Sequence, residues 1–381
     1  MPVLFEEISE DLNLNLVQIG TIWGIVPLGS VIFLLLGGVL CDRFGVKHTI
    51  GIACLLAGVT GATRGLSSGF GSLVAVSLLF GLISSLIPVG VMKVCRIWFT
   101  NKQLGLVTAV ILMGNGIGGS IGSMMSATFL SPLLGGWRNV LFLYGAISVV
   151  LGIIWLLTLK ETRGTRRTGS DTTAPVLQAV SYVLLIKAIW LIGCSLLAYE
   201  GSMLAILGYL PLYLRESGWS AISADGAVTT FILMGIIGAI PLGLLSDRLG
   251  RRKAVLIPAI FVAIICTALL PVISNTSLWV ILIILGTFRG AYTSLSSAMV
   301  LETDTVGFTY SGTAIGLVLT LMRIGCFIAS PLGNSLATIN LGTPFVFWAI
   351  LFVCAAIILI FVKETGWKVK KEKKTTYISL Q

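Results

Sequence analysis

Apolar residues run for about twenty positions at a time along most of this chain, broken by short polar stretches. Runs of that length cross the hydrocarbon core of a bilayer as helices. The pattern predicts eleven spans, at 17–40, 48–66, 70–94, 104–131, 138–159, 189–212, 224–246, 253–272, 277–300, 310–337 and 342–362. Two stretches break the rhythm: an Arg/Thr-rich segment at 160–180, which leads into a short amphipathic segment, and a basic tail at 363–381. Before the first span, Met1 to Phe5 reads as the end of a helix and Glu6 to Asn13 as an acidic outer loop.

Composition strengthens this picture. The chain is 56% hydrophobic and 10% charged, against about 25% charged in soluble proteins. A net charge of +10 would suit nucleic acid, but its placement does not. With loops assigned alternately to the two sides, nineteen Lys and Arg fall on one side and three (Arg64, Arg138, Arg215) on the other, with Lys187, Arg289 and Arg323 inside or at the foot of spans. Basic loops face the cytoplasm, so the C-terminus is expected there, in a multi-pass protein of the cell membrane. The seven Cys lie within or at the ends of apolar runs and read as small hydrophobes, and His48 sits beside the first basic loop. No metal-ligand spacing, paired carboxylates or nucleophile–base set is present, so neither a cofactor nor enzymatic activity is expected. No Walker-type Gly-x-x-x-x-Gly-Lys-Ser/Thr loop occurs either, so no nucleotide-driven activity is expected.

The spans also repeat. Gly38-Val39-Leu40-Cys41-Asp42-Arg43-Phe44-Gly45-Val46-Lys47 lies between two apolar runs, and Gly243-Leu244-Leu245-Ser246-Asp247-Arg248-Leu249-Gly250-Arg251-Arg252 follows 205 positions later in the same setting. Lys160-Glu161-Thr162 closes the first half and Lys363-Glu364-Thr365 the second. The Gly-x-Leu-x-Asp-Arg-x-Gly-x-Lys/Arg pattern resembles loops of the major facilitator superfamily of transporters. That resemblance implies an all-α membrane fold of two six-helix half-repeats around a midplane site. It also implies gating contacts at Gly38, Asp42, Arg43, Gly45 and at Gly243, Asp247, Arg248, Gly250. The halves are expected at 1–159 and 189–362, joined by a cytoplasmic linker at 160–188 and followed by the tail at 363–381. Against the family's twelve helices the chain is one short at its start: either the start is placed too far downstream or the helix is absent.

An ionisable group at mid-bilayer costs about 2.5–3.5 kcal/mol on insertion scales, so it needs a partner or a purpose. Three qualify: Glu200, Arg289 and Arg323. Gly286, Thr293 and Ser296 share the Arg289 face, with Tyr292 beside it; Gly316, Thr320, Phe327, Ser330 and Asn334 share the Arg323 face. In the first half, Trp23, Pro27, Met113 and Asn115 are candidates to face the same cavity. Two Arg against one Glu leave positive charge, which suits a carboxylate or similar oxyanion. The resulting expectation is an alternating-access carrier for a small organic or inorganic anion, coupled to H+ or Na+ and monomeric, with Glu200 as protonatable or gating partner. The Glu200–arginine pairing could instead only brace the half. The alternative function is proton-coupled drug or cation efflux with Glu200 as the proton-carrying acid. A nitrate/nitrite carrier fits less well, because the second and eighth helices of that resemblance lack a central Arg here; a cyanate-like or other organic-anion carrier fits better. Glu302 and Asp304 are candidates to pair with the basic loop at 248–253.

Overall fold

A computed structural model describes residues 1–99, 104–158, 176–273, 276–303, 305–306, 310–366 and 368. Its helices are α1 Phe5–Leu12, α2 Leu16–Phe44, α3 Val46–Thr63, α4 Phe70–Ser84, α5 Leu86–Trp98, α6 Leu104–Met125, α7 Ser131–Leu134, α8 Trp137–Thr158, α9 Val176–Leu184, α10 Lys187–Glu216, α11 Ala221–Leu249, α12 Lys253–Leu269, α13 Thr276–Glu302, α14 Ser311–Ser335 and α15 Thr343–Phe361. Among the described residues, ten stretches are long and apolar enough to cross a membrane. The shorter apolar α12 takes the position of the eighth predicted span.

Two predicted spans are not single helices. The third divides at Ser85 into α4 and α5, and the fourth passes through a π-helical turn, Ser126–Leu130, before α7. The predicted linker falls partly outside the described residues, at 160–175, as does the tail at 367 and 369–381. The short segment expected after the linker is the helix α9.

The residues group into two compact units. One holds 1–171, 208–229 and 330–334; the other holds 172–207, 230–329 and 335–381.

In the first unit, the acidic stretch predicted as a loop is helical. Phe5 and Ile8, three positions apart on α1, are fully buried and carry the helix into a core with Ile19, Ile22, Trp137 and Leu141. Its acids then find partners: Glu7 accepts from the Ser131 hydroxyl, and Asp11 accepts from the Trp137 indole at 3.1 Å and from Arg138 at 2.8 Å. Asn15 caps α2 in a reciprocal capping box with Gln18.

The duplication read from the sequence is present in the packing. A Cβ on Gly81 would lie 2.1 Å from the carbonyl oxygen of Val26. A Cβ on Gly286, 205 positions later, would lie 2.6 Å from that of Phe231, itself 205 after Val26. Each half thus crosses its second helix over its fourth at a glycine, because no side chain fits between the two backbones.

In the second unit, the repeated Asp-Arg loop is tied down by charge. Arg252 donates to Asp247 at 2.5 Å and to Glu302 at 2.7 Å, and the hydrogen bonds it makes to Glu302 hold its guanidinium pKa above the ordinary value. Glu302 thereby meets the basic loop as expected, whereas Asp304 lies outside the described residues. Arg248 and Arg43 are exposed, and the Asp42 side chain lies outside the described set. Gly45 and Gly250 have φ of 79° and 65°, a region favouring glycine, which accounts for their place in the motif.

The Lys-Glu-Thr signature has a structural role as well. The Glu364 carboxylate accepts from the backbone N–H groups of Arg252, Lys253 and Thr365 at 2.9–3.1 Å, capping the start of α12. Glu364→Ala is expected to lower stability by about 0.5–2 kcal/mol, the usual cost of a lost cap, seen as a lower midpoint in thermal unfolding of the detergent-solubilised protein.

Candidate functional site: buried charges in the second unit

The second unit packs α10 directly on α14. A Cβ on Gly201 would sit 2.6 Å from the Gly325 carbonyl oxygen, and one on Gly325 would sit 2.1 Å from that of Leu197. This contact sets Glu200, adjacent to Gly201, against the turn of α14 that carries Arg323. On its other side α10 meets α13. The rings of Tyr199 and Tyr292 stack at 3.7 Å, nearly parallel at 13°, and Tyr199 also meets Phe352 of α15 at 5.1 Å. Ser195 and Tyr292 share a hydrogen bond of 2.6 Å, and the Ser195 hydroxyl donates to Ala355 O at 3.0 Å. Three helices are thus fixed around Glu200 by aromatic stacking and small-residue contact.

Glu200 is 8% exposed. Its carboxylate accepts a short hydrogen bond from the Thr293 hydroxyl on α13, and its backbone carbonyl accepts from the Cys326 thiol at 3.6 Å. Glu200, Arg323 and Arg289 all lie within electrostatic reach of the Cys326 sulfur. Arg289 is partly buried, with its guanidinium 5.6 Å from the centroid of Phe231. The Nε atoms of Arg289 and Arg323 and the hydroxyl of Tyr199 are buried without a hydrogen-bond partner among the described residues. Buried donors without partners are costly, and guanidinium nitrogens suit the paired oxygens of a carboxylate.

Of the residues expected at the site, Glu200, Arg289, Arg323 and Tyr292 lie in the second unit around this point. Tyr292 is fully buried, and its hydroxyl shares the hydrogen bond with Ser195. Thr320 is in the same unit but turns its hydroxyl back to Gly316 O at 2.9 Å. The polar stripe past Arg323 runs from one unit into the other. Ser330 and Asn334 belong to the first unit, where Asn334 Nδ2 donates to Leu16 O at 2.9 Å.

Trp23 and Asn115 are likewise in the first unit. Trp23 packs edge-to-face on Phe5 at 5.9 Å and lines a cavity of about 410 Å³, while Asn115 is exposed on α6. Sequence reasoning missed Cys326 and Ser195, whose roles depend on helix crossings. It also read Arg64 as a loop cation; Arg64 is 7% exposed, with its guanidinium 4.0 Å from the Phe80 ring centroid.

The family model for the major facilitator superfamily matches residues 1–227 and 218–377. The chain belongs to that superfamily, and it is a multi-pass membrane transport protein, not an enzyme. It is 24% identical to a hexuronate transporter of Bacillus subtilis over 74% of this chain and 70% of that one. It is 22% identical to a gallate transporter of Pseudomonas putida over 91% of this chain and 83% of that one. Among solved structures, the nucleoside transporter NupG superposes with a TM-score of 0.77 at 17% identity, covering 95% of both chains.

Proposed function

We propose that this protein is a secondary carrier for small hydroxylated carboxylates, working by alternating access on a proton or sodium gradient. The observation that carries the reading is the charge balance around Glu200. Two arginines with unpaired Nε donors accompany a single carboxylate that Thr293 already engages. One positive charge is in surplus within the span, so an incoming carboxylate would neutralise it. A hexuronate and a gallate each carry one carboxylate among hydroxyl groups, which fits the substrates named for the two relatives. In this reading Arg289 and Arg323 grip the carboxylate and Glu200 is the protonatable partner. The protein would act as a monomer in the cell membrane with its C-terminus in the cytoplasm.

Proton-coupled export of cations through Glu200 is disfavoured by the same balance, because the two arginines cancel the negative charge a cation would need. The test is uptake into proteoliposomes of a panel holding galacturonate, gallate and a lipophilic cation such as ethidium. The carrier reading expects carboxylates to accumulate under an inward proton or sodium gradient while ethidium does not. Ethidium transport with no carboxylate uptake would contradict it.

A further inference from the structure

Glu200, Arg289 and Arg323 are close enough to feel one another's charge around the Cys326 sulfur, yet they do not pair. Among the described residues, no nitrogen of either arginine lies within 4.0 Å of a Glu200 carboxylate oxygen. A bond between a carboxylate and a guanidinium is roughly twice as strong as one between neutral groups. Glu200 nevertheless accepts from a neutral hydroxyl, that of Thr293.

That hydroxyl is aimed away from its own helix. The hydroxyls of Thr287, Ser294, Ser297 and Thr303 on α13 all turn back to carbonyl oxygens of α13, the usual partners of a helical Ser or Thr. Thr293 instead donates across to α10. The backbones around it are fixed. A Cβ on Gly290 would lie 2.2 Å from the Gly235 carbonyl oxygen, which locks α13 on α11 as Gly325 locks α14 on α10. Thr293 follows Arg289 by four residues, so the two share a face, with Cβ atoms about 5–6 Å apart. A turn of the Glu200 side chain, with no movement of a helix, would exchange the Thr293 hydroxyl for the Arg289 guanidinium.

We propose that Thr293 is a positioning residue of the carrier site, whose hydroxyl holds the Glu200 carboxylate off the two arginines and leaves their donors to the carboxylate of an incoming substrate. Without that hydroxyl, Glu200 becomes an internal competitor. It pairs with a guanidinium, and the substrate must displace it to bind. The inference rests on the carrier reading in taking those donors to be the substrate's. The separation of Glu200 from the arginines does not depend on that reading.

Two measurements on the full-length protein in proteoliposomes test the proposal. The first is the kinetics of galacturonate and gallate uptake. Thr293→Val keeps the shape of the side chain and removes the hydroxyl. It is expected to raise KM by about ten- to a hundredfold, the usual effect of one hydrogen bond to a charged group, while the maximal rate changes little. Thr293→Ser keeps the hydroxyl and should stay near the wild-type KM. In a Glu200→Gln background, Thr293→Val should leave KM unmoved, because the charged competitor is gone. Thr293→Ala serves in the same way should the valine protein fail to fold.

The second measurement needs no substrate. Phenylglyoxal reacts with guanidinium groups that no carboxylate covers, and its attachment to Arg289 and Arg323 is read by mass spectrometry of their peptides. Both arginines are expected to react in the wild type, at least one to be protected in Thr293→Val, and both to react again in Thr293→Val/Glu200→Gln. This pattern decides the matter alone should Glu200→Gln abolish uptake. An unchanged KM in Thr293→Val, an equal rise in Thr293→Ser, a rise that persists in the Glu200→Gln background, or arginines unreactive in the wild type or unprotected in Thr293→Val would each overturn the proposal. If no carboxylate is taken up but the protection pattern holds, the substrate reading fails and the positioning of Glu200 by Thr293 stands.

Discussion

Arg289→Gln and Arg323→Gln are each expected to lower carboxylate uptake by about ten- to a hundredfold. A hydrogen bond to a charged group contributes roughly 1.5–3 kcal/mol, and every 1.4 kcal/mol is a factor of about ten. Both side chains hold a buried Nε that no acceptor among the described residues satisfies, so the loss should appear in transport more than in folding. Arg→Lys at either position keeps the charge but not the planar fork, and should retain part of the activity. Initial rates in proteoliposomes, compared with thermal midpoints of the same preparations, separate the two effects. If the arginines only brace the half, the midpoints will fall while uptake per folded molecule holds.

The second large effect is expected at Gly325. Its substitution by Ala places a Cβ 2.1 Å from the Leu197 carbonyl oxygen and 2.7 Å from the carbonyl carbon. The atoms in the way are backbone, so α10 and α14 must move apart. Overpacking of this kind costs about 1–3 kcal/mol or more. The movement would also shift Glu200 against Arg323, so uptake should fall together with stability. Gly312, on the same helix, has open space around it. Gly312→Ala should leave the midpoint unchanged or slightly raised, because alanine favours the helix. Similar behaviour of the two variants would mean that the α10–α14 contact is looser than described.

Much of this was legible in the chain, and the physical reasons are specific. The spans could be read because the bilayer fixes both their length and their apolarity. The duplication could be read because its glycines and Asp-Arg pairs are needed at the same places in both halves, and the packing repeats the same 205-residue offset at Gly81 and Gly286. Glu200, Arg289 and Arg323 could be named because charge inside a span is costly wherever it occurs. What could not be read depends on crossings. That Thr293 holds Glu200 and that Ser195 meets Tyr292 follows from how α10 lies on α13, which no local spacing encodes. Helical periodicity joined Ser330 and Asn334 to the Arg323 face, yet they belong to the other unit, because a long helix can serve two bodies. The acidic start was read as a loop because its charges outnumber its apolar residues, although Phe5 and Ile8 bury it as α1. Arg215 and Asp225 stand at span ends, where charge is ordinary in sequence, and only the fold shows them buried together.

The central claim is that a substrate carboxylate is recognised by the surplus positive charge of Arg289 and Arg323. It is tested most directly by comparing uptake of galacturonate and gallate with that of their uncharged carboxamides, in wild-type proteoliposomes and in the Arg289→Gln/Arg323→Gln double variant. The account predicts that the wild type takes up at least one of the acids and neither amide, and that the double variant loses the acid. Equal transport of acid and amide by the wild type, or undiminished acid uptake by the double variant, would contradict it.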